Sequence, residues 1–497
     1  MTLIQVWKCF IIGGILSIIF LASCQQDRVF EGDGPIPLEF SLDTLRFDTV
    51  FTEVGSVTRS FKIYNQLEEA VIIDKISLND EASFFRMNVD GIAGDEVENT
   101  RIEALDSIWV FIEATIDPNQ PLSVSPFVVE DIVNIQASQS DYTIHLEAWG
   151  QNANYIPSRF SDSEINSLSC DGGIITWNDP RPYVIYGVLG LDNCRLVIAP
   201  GTDIYVHGGV GINEDIGVFN DGILVILPNS SIEVQGTADN PVRIRSDRLE
   251  TEFREVAGQW AGILIQEGSR NNIFNHTLIQ HSIVGISVDS AASLVMNSCE
   301  IGFTSGSGLS AQHANVTATN CLFYQNLTNG ITLGYGGEYT FNHCTSANYE
   351  NQGAALSATN IRCTDPLCQE EILFNPLSLT MNNCILTGND DDEISFFDLT
   401  EGSDLNAFRY EMNNCFLNVN EILQVGQFPN FFDNCINCIS VTRQDSLFLD
   451  LEMQDYHLDT LSAAIDQGLY LPFVINDLDG NPREANLVDV GCYEFQK

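Results

Sequence analysis

The chain predicts an all-β protein, an antiparallel β-sandwich followed by a long parallel β-solenoid, and three observations predict it. A glycine leading an apolar strand recurs as Gly262-Ile263-Leu264-Ile265, Gly285-Ile286-Ser287-Val288, Gly308-Leu309-Ser310-Ala311 and Gly330-Ile331-Thr332-Leu333, at steps of 23, 23 and 22 residues. Two more series keep that step: Thr277-Leu278-Ile279, Cys299-Glu300-Ile301, Cys321-Leu322-Phe323; and Leu294-Val295-Met296, Val316-Thr317-Ala318, Tyr339-Thr340-Phe341. Three short alternating strands per 22 or 23 residues make a coil too short for helical repeats. Upstream, between Leu38 and Gly150, alternating strands stand between polar turns without that period.

The turns add to this. Asn297, Asn320, Asn342, Asn382 and Asn413 stand between the third strand series and the cysteines, as in Met-Asn-Ser-Cys and Met-Asn-Asn-Cys. Asparagine tolerates a left-handed backbone, and stacked asparagines hydrogen-bond along an axis as a ladder. The pattern resembles the asparagine turn of the right-handed pectate-lyase-like parallel β-helix. The resemblance implies a right-handed β-helix over 158–470. It implies little about function, since that fold serves lyases, hydrolases, adhesins and inert shafts alike.

At the N-terminus, Lys8 precedes an apolar run from Cys9 to Ala22, the length of a signal-peptide core and short for a membrane span. Leu21-Ala22-Ser23-Cys24 resembles the bacterial lipobox, which implies cleavage of signal 1–23 and a lipid on Cys24; the alternative is an uncleaved hydrophobic anchor. Residues 24–37 are polar, with Gly and Pro, and suit a tether. The expected location is the outer membrane of a Gram-negative bacterium, at its periplasmic face or the cell surface. A balance of 21 basic against 68 acidic residues leaves a net charge of −47, which argues against nucleic acid and anionic membranes as partners. A monomer is expected, with no obligatory cofactor.

Within 38–150, Phe61–Asn65, Val71–Ile73, Ile76–Leu78, Ile108–Ile112, Ile132–Ile135 and Thr143–Leu146 alternate as strands, and six or seven of them fit an immunoglobulin-like sandwich. Phe61–Asn65, the Asp131-Ile132-Val133 strand and Ala148-Trp149-Gly150 resemble accessory Ig-like domains of bacterial surface proteins, which act as spacers or binders. Asn152 to Pro157 reads as linker. In the early solenoid, Leu196-Val197-Ile198 and Leu224-Val225-Ile226 match at an offset of 28. After Cys344 the cysteine steps lengthen to 40 and 31, which places inserted loops at Ser357–Ser378 and near Asp398–Phe408, side by side on successive coils. The segment 471–497, with Asp479-Gly480-Asn481-Pro482-Arg483 and Gly491-Cys492-Tyr493-Glu494, resembles the choice-of-anchor Q segment of exported β-helices. An open solenoid end exposes strand edges, so a cap is expected there.

Cys299, Cys321, Cys344, Cys384, Cys415 and Cys435 are expected to form an inward column of free thiols, since parallel side chains about 4.8 Å apart suit a disulfide poorly. Cys363 and Cys368, in the first insertion, are the disulfide candidates. Cys435-Ile436-Asn437-Cys438 has half of a zinc-knuckle spacing and lacks the other half. The seven histidines form no constellation in the sequence. The outward residues Leu264, Ser287, Ser310 and Thr332 cannot supply the two placed carboxylates of hydrolysis or the base of a lyase. One acidic turn could: Asp390, Asp391, Asp392 and Glu393 suit Ca²⁺, with Arg362, Asp398 and Arg409 as neighbouring ligand contacts; the alternative is a solvated turn in a very acidic protein.

These observations support two readings. The first is a non-catalytic, lipid-anchored envelope or surface protein that binds glycan or another envelope component. The second is a Ca²⁺-dependent polysaccharide lyase or glycoside hydrolase with its site at 362–409, against strand Ile394 to Phe397. The lipid anchor gives the sharpest test: Cys24→Ser should leave the signal uncut and abolish incorporation of labelled fatty acid, and unchanged labelling would overturn the assignment.

Overall fold

The computed structural model describes residues 29–496 apart from 31–33, 52–57, 81–82, 116–126, 159–163, 214–216, 350–352, 366–370, 401–403, 424–427, Leu399, Leu405 and Pro429. Cys24 and the apolar run before it lie outside the described residues. No helix among the described residues is long and apolar enough to cross a membrane. The chain divides into two units, Met1–Asn152 and Ala153–Lys497.

The first unit holds two five-stranded sheets around one core. Alternation makes this possible. Arg59–Asn65 buries Phe61 and Ile63, and Ser107–Ala114 buries Ile108, Val110, Ile112 and Ala114, so each strand turns one apolar face inward. Phe47 meets Phe85 across the sheets at 5.7 Å. The strands missing from the expected six or seven include Leu38–Phe40, which is short, and Glu96–Ile102, whose polar sequence hides its pairing with Val71–Leu78. Part of the expected tether is also placed on this core. Val29 bridges Ala70, and buried Ile36 accepts the Tyr142 hydroxyl at 2.5 Å.

The second unit is a parallel β-solenoid with three faces. Face A contains Val188–Asp192, Ile223–Ile226, Trp260–Ile265 and Ser282–Val288, and continues to Ile394–Phe397. Face B runs from Ile174–Trp177 through Arg195–Ile198, Ser231–Gln235, Asn272–Asn275 and Ser293–Asn297 to Cys435–Ile436. Face C is an eleven-stranded sheet from Asn154–Ile156 to Ile439–Ser440. The stretch Asn152–Pro157 is therefore not merely linker, since Asn154–Ile156 pairs with Tyr183–Ile185 as the first strand of face C.

The repeated glycines have a steric cause. A Cβ at Gly262 or Gly285 would overlap a carbonyl oxygen of the following coil, Val284 or Gly308. Inward residues Ile263, Ile286, Leu309, Ile331, Leu356 and Ile394 stack in a row, each buried. Each such burial contributes about 1.5–3 kcal/mol.

The asparagine ladder is present, with its roles divided between two positions. Asn297 donates to Asn275, Asn382 to Asn342 and Asn413 to Asn382, each at 2.9 Å. The next residue along takes the left-handed backbone: His276, Ser298, Asn320, His343, Asn383 and Asn414 have φ between 39° and 56°. Asn320 belongs to this second row and Thr319 fills the ladder position, a shift of one from the sequence reading. His276 and His343 thus share one coil position.

Two other expectations are corrected, and one disulfide is new. The 28-residue match joins different faces, because Leu196 lies on face B and Leu224 on face A; the true partners are Leu189 with Leu224 and Leu196 with Ile232. A similar strand-then-turn phrase at two corners produced the false register. The thiol column is Cys299, Cys321, Cys344, Cys384, Cys415 and Cys438, not Cys435. Cys435 pairs with Met412 on face B, while Cys438 reaches the Met412 carbonyl as Cys415 reaches that of Met381. Cys170 and Cys194 form a disulfide with Cα atoms 5.1 Å apart, one coil step from each other. They sit in turns between faces A and B, where side chains need not run parallel as they do within a strand.

The C-terminal segment lies along the side of the solenoid, not over its end. Phe448, Tyr456, Leu458, Leu478, Val490 and Cys492 pack on Phe303, Leu322, Tyr324, Ile385 and Phe416 of face C. The end of the core is covered by Phe428 and Phe431, set against Phe396, Phe408 and Tyr410. The tail grips the left-handed row: Asn320 donates to Asn476 O at 2.7 Å, Asn383 to Leu469 O at 2.7 Å and Asn414 to Gln467 O at 2.9 Å. Buried Arg483 pairs with Glu494 and donates to Asn320 Oδ1 at 3.0 Å and Gly491 O at 2.9 Å. Removing one partner of a buried ion pair typically costs about 3–5 kcal/mol, more than replacing both. Arg483→Ala should therefore release residues 441–496 to limited proteolysis while the coils resist, and Arg483→Met with Glu494→Leu should restore protection. Equal protection of Arg483→Ala and wild type would refute the role.

Candidate functional site

The two insertions occur at the corner between faces A and B, on successive coils. Their limits differ slightly from the sequence reading. Leu356–Thr359 is a full face A strand, and Leu377–Asn382 already lies on face B, so the first insertion is 360–376. It carries the hairpin Ile361–Cys363 with Ile372–Phe374. The second occupies 398–407, between Ile394–Phe397 and Phe408–Asn413. Asn360 joins them, donating to Asp398 Oδ1 at 2.5 Å and Ala407 O at 3.3 Å.

The acidic turn is built into the scaffold. Glu393 is fully buried and accepts the N–H of Ala355 at 2.8 Å and of Asp390 at 2.9 Å, tying one coil to the next. Desolvation pushes its carboxyl up to about 7 despite those two N–H donors. Asp392 accepts the N–H groups of Asn420 and Ile422 at 2.5 and 2.8 Å, fixing the short 3₁₀ turn Glu421–Leu423. Asp390 and Asp391 are exposed. These four carboxylates thus face different partners, and no group of three or more His, Cys, Asp or Glu side chains among the described residues is arranged to hold a metal ion.

The other candidates are also engaged. Asp398 is buried and accepts Thr400 N at 3.0 Å and Thr400 Oγ1 at 2.6 Å. Arg409 pairs with Glu411 at 2.5 Å on the outer side of face B, and Arg362 lies 4.7 Å over the Tyr335 ring. Cys363 is disulfide-bonded, and Cys368 lies outside the described residues. Above the scaffold, the outward row of face A runs Leu264, Ser287, Ser310, Thr332, Ser357, Ser395, and all its members are neutral.

Two clusters escaped the sequence. His457 lies between Asp455 at 2.6 Å and Asp479 at 2.8 Å and stacks on Tyr493 at 4.0 Å. Its bond to Asp479, then that to Asp455, raises its pKa to about 9 against desolvation, so near neutrality it is an imidazolium and no general base. Glu300 lies near it, pushed up to about 7 by desolvation and by Asp479. The second cluster is in the first unit, an open groove of about 510 Å³ lined by Thr44, Arg46, Asn79, Asp80, Glu130, Asp131, Ile132, His145, Leu146 and Glu147. Its residues come from strands and turns far apart in sequence, so no local motif announces it.

The fold and this corner define a parallel β-solenoid with decorated turns. Residues 217–364 match the family described as a right handed beta helix region. No curated protein matches the chain. Among solved structures it is similar to the catalytic unit of a GH87 alpha-1,3-glucanase from Streptomyces thermodiastaticus, at 12% identity over 72% of this chain and 73% of that one, TM-score 0.26. It is also similar to the periplasmic alginate epimerase AlgG, at 10% identity over 60% of this chain and 84% of that one, TM-score 0.29. A family 123 glycoside hydrolase from Clostridium perfringens matches at 10% identity over 23% of this chain, TM-score 0.18, and the chain spans about a quarter (26%) of that protein's length.

The shifted groups give a pH signature. Glu393 and Glu300 have folded pKa values of about 7, above the ordinary 4.5, so their contribution is full below pH 4.5 and lost as pH rises through 7. His457, raised from 6.5 to about 9, contributes fully below 6.5 and loses it as pH rises through 9. Half-buried His276 and buried His281 and His343, whose pKa values desolvation lowers from 6.5, act the other way below that pH, so the melting temperature should fall from pH 6.5 to pH 9. Glu393→Gln should remove a pH dependence of about 2 kcal/mol between pH 5 and pH 8. A wild-type curve rising over this window, followed by differential scanning calorimetry, would contradict the burial of these groups.

Proposed function

We propose that this is a non-catalytic, lipid-anchored envelope protein that binds glycan or another envelope component. The observation that carries this reading is the use made of the acidic corner: Glu393, Asp392 and Asp398 spend their oxygens on backbone N–H groups and on Asn360 and Thr400. Acid–base hydrolysis needs two carboxylates free to exchange protons with a substrate between them. Beside this corner, face A offers a flat hydroxyl-bearing row suited to contact and not to proton transfer. Eleven strands on face C, at about 4.8 Å per step, give a stiff body about 48 Å long. The lipobox-like Leu21–Cys24 supports attachment of this body to a membrane through Cys24.

The test measures reducing ends and unsaturated uronates released from a panel of polysaccharides, with retention of the protein on the same polysaccharides immobilised. Retention without product is expected. Turnover abolished by EDTA or by Asp391→Ala would replace this reading with a Ca²⁺-dependent lyase or hydrolase at 362–409.

A further inference from the structure

We propose that the groove of the first unit is the ligand site, and that it takes a neutral oligosaccharide with Trp149 as its stacking surface; this rests on the glycan-binding reading above. The groove encloses about 510 Å³, within the roughly 300–1,000 Å³ of small-molecule sites. Its wall includes His145 and Glu147 on the outer side of Ser140–Gln151, and Trp149 is the next outward residue of the same strand, flanking the groove beyond its lining. The indole is held in place. Trp149 Nε1 donates to Glu147 Oε1 at 3.1 Å, while Arg46 Nε donates to Glu147 Oε2 at 3.3 Å. Its polar edge is thus satisfied internally, and the residue stays 45% exposed beside Val128, its neighbour across the pairing.

The backbone accounts for this placement. Pairing of Ser140–Gln151 with Thr44–Phe51 shifts register between Ala148 and Trp149. Such irregularities re-aim a side chain, and they concentrate next to binding sites.

The lining sets the ligand class. Asn79, Asp80, Glu130 and Glu147 offer oxygen acceptors, and Arg46 and His145 stand among them, a mixture that matches hydroxyl groups arrayed around a ring. Four carboxylates, counting Asp131, against the one arginine repel uronates and sulfated chains. Asp131 itself is occupied, accepting Ser83 Oγ at 2.5 Å and Ile132 N at 2.7 Å, and serves as a wall. A protein partner would need about 800 Å² of surface. Trp149 and Val128 offer one indole and one isopropyl group, which suits the apolar face of a sugar ring.

The experiment titrates the full-length protein with maltohexaose, cellohexaose, laminarihexaose and mannohexaose, and with hexagalacturonate and spermidine as charged probes, following tryptophan fluorescence and heat. Binding of at least one neutral hexasaccharide is expected, weakened at least tenfold by Trp149→Ala, partly recovered by Trp149→Phe, and weakened by Glu147→Gln. Saccharide binding unchanged in Trp149→Ala would overturn this site while leaving the broader reading intact. Hexagalacturonate or spermidine binding in place of the neutral sugars would overturn the ligand class. If no saccharide binds here or on the immobilised panel, both readings fail.

Discussion

Parallel backbone pairing forces every residue of the solenoid to sit about 4.8 Å from the residue at the same position of the next coil, and most of the structure follows from what can tolerate that. Glycine does so where a Cβ would strike the next coil's carbonyl, at Gly262 and Gly285. Asparagine does so by donating to its own kind, as Asn413 does to Asn382. Cysteine does so as a small hydrophobe whose thiol bonds a carbonyl two residues back, as in Cys344 with Asn342. Charge of one sign does not. Two like charges at that spacing repel by about 1 kcal/mol in water and about 3–4 kcal/mol at an effective dielectric of 20. This gives a physical reason why a chain with net charge −47 keeps the outward row of face A neutral. Where charges do enter the coils they meet other partners: Arg243 stacks on Asp203, and Glu411 on Thr380.

The same constraint explains what was legible in the sequence. From Gly262 to Cys344 each coil repeats the last, so period, inward row and outward row could be read from spacing alone, while the asparagine ladder read the same way slips by one at Asn320. Legibility failed where coils differ in length. Between Leu189 and Ile244 the corners carry additions such as the hairpin Gly209–Asn213 with Gly217–Asp221, and a strand-then-turn phrase on face B was matched to one on face A. The choice between Cys435 and Cys438 failed by the same logic, since both follow the Met412 coil and only pairing separates them.

The two insertions were located to within a few residues, and the contacts of their side chains were not legible. Insertion lengths point to 362–409 because excess residues cannot stack. Whether Glu393 faces solvent or the N–H of Ala355, 38 residues away, is set by the fold and leaves no trace in Asp390-Asp391-Asp392-Glu393. Likewise, His457 meets Asp455 within a local phrase, but its second carboxylate, Asp479, arrives only when the tail folds back.

The docking of that tail constrains how such a protein can change. Asn320, Asn383 and Asn414 are engaged by Asn476, Leu469 and Gln467, so one short segment spans several coils and contacts them at fixed intervals. It works as a ruler. A coil gained or lost between Asn320 and Asn414 would displace the later contacts by a full strand spacing, and the packing of the tail on Phe303 and beside Ala238 extends the same constraint upstream. Lengthening of the solenoid by duplication is therefore opposed within the coils the tail touches and tolerated before them.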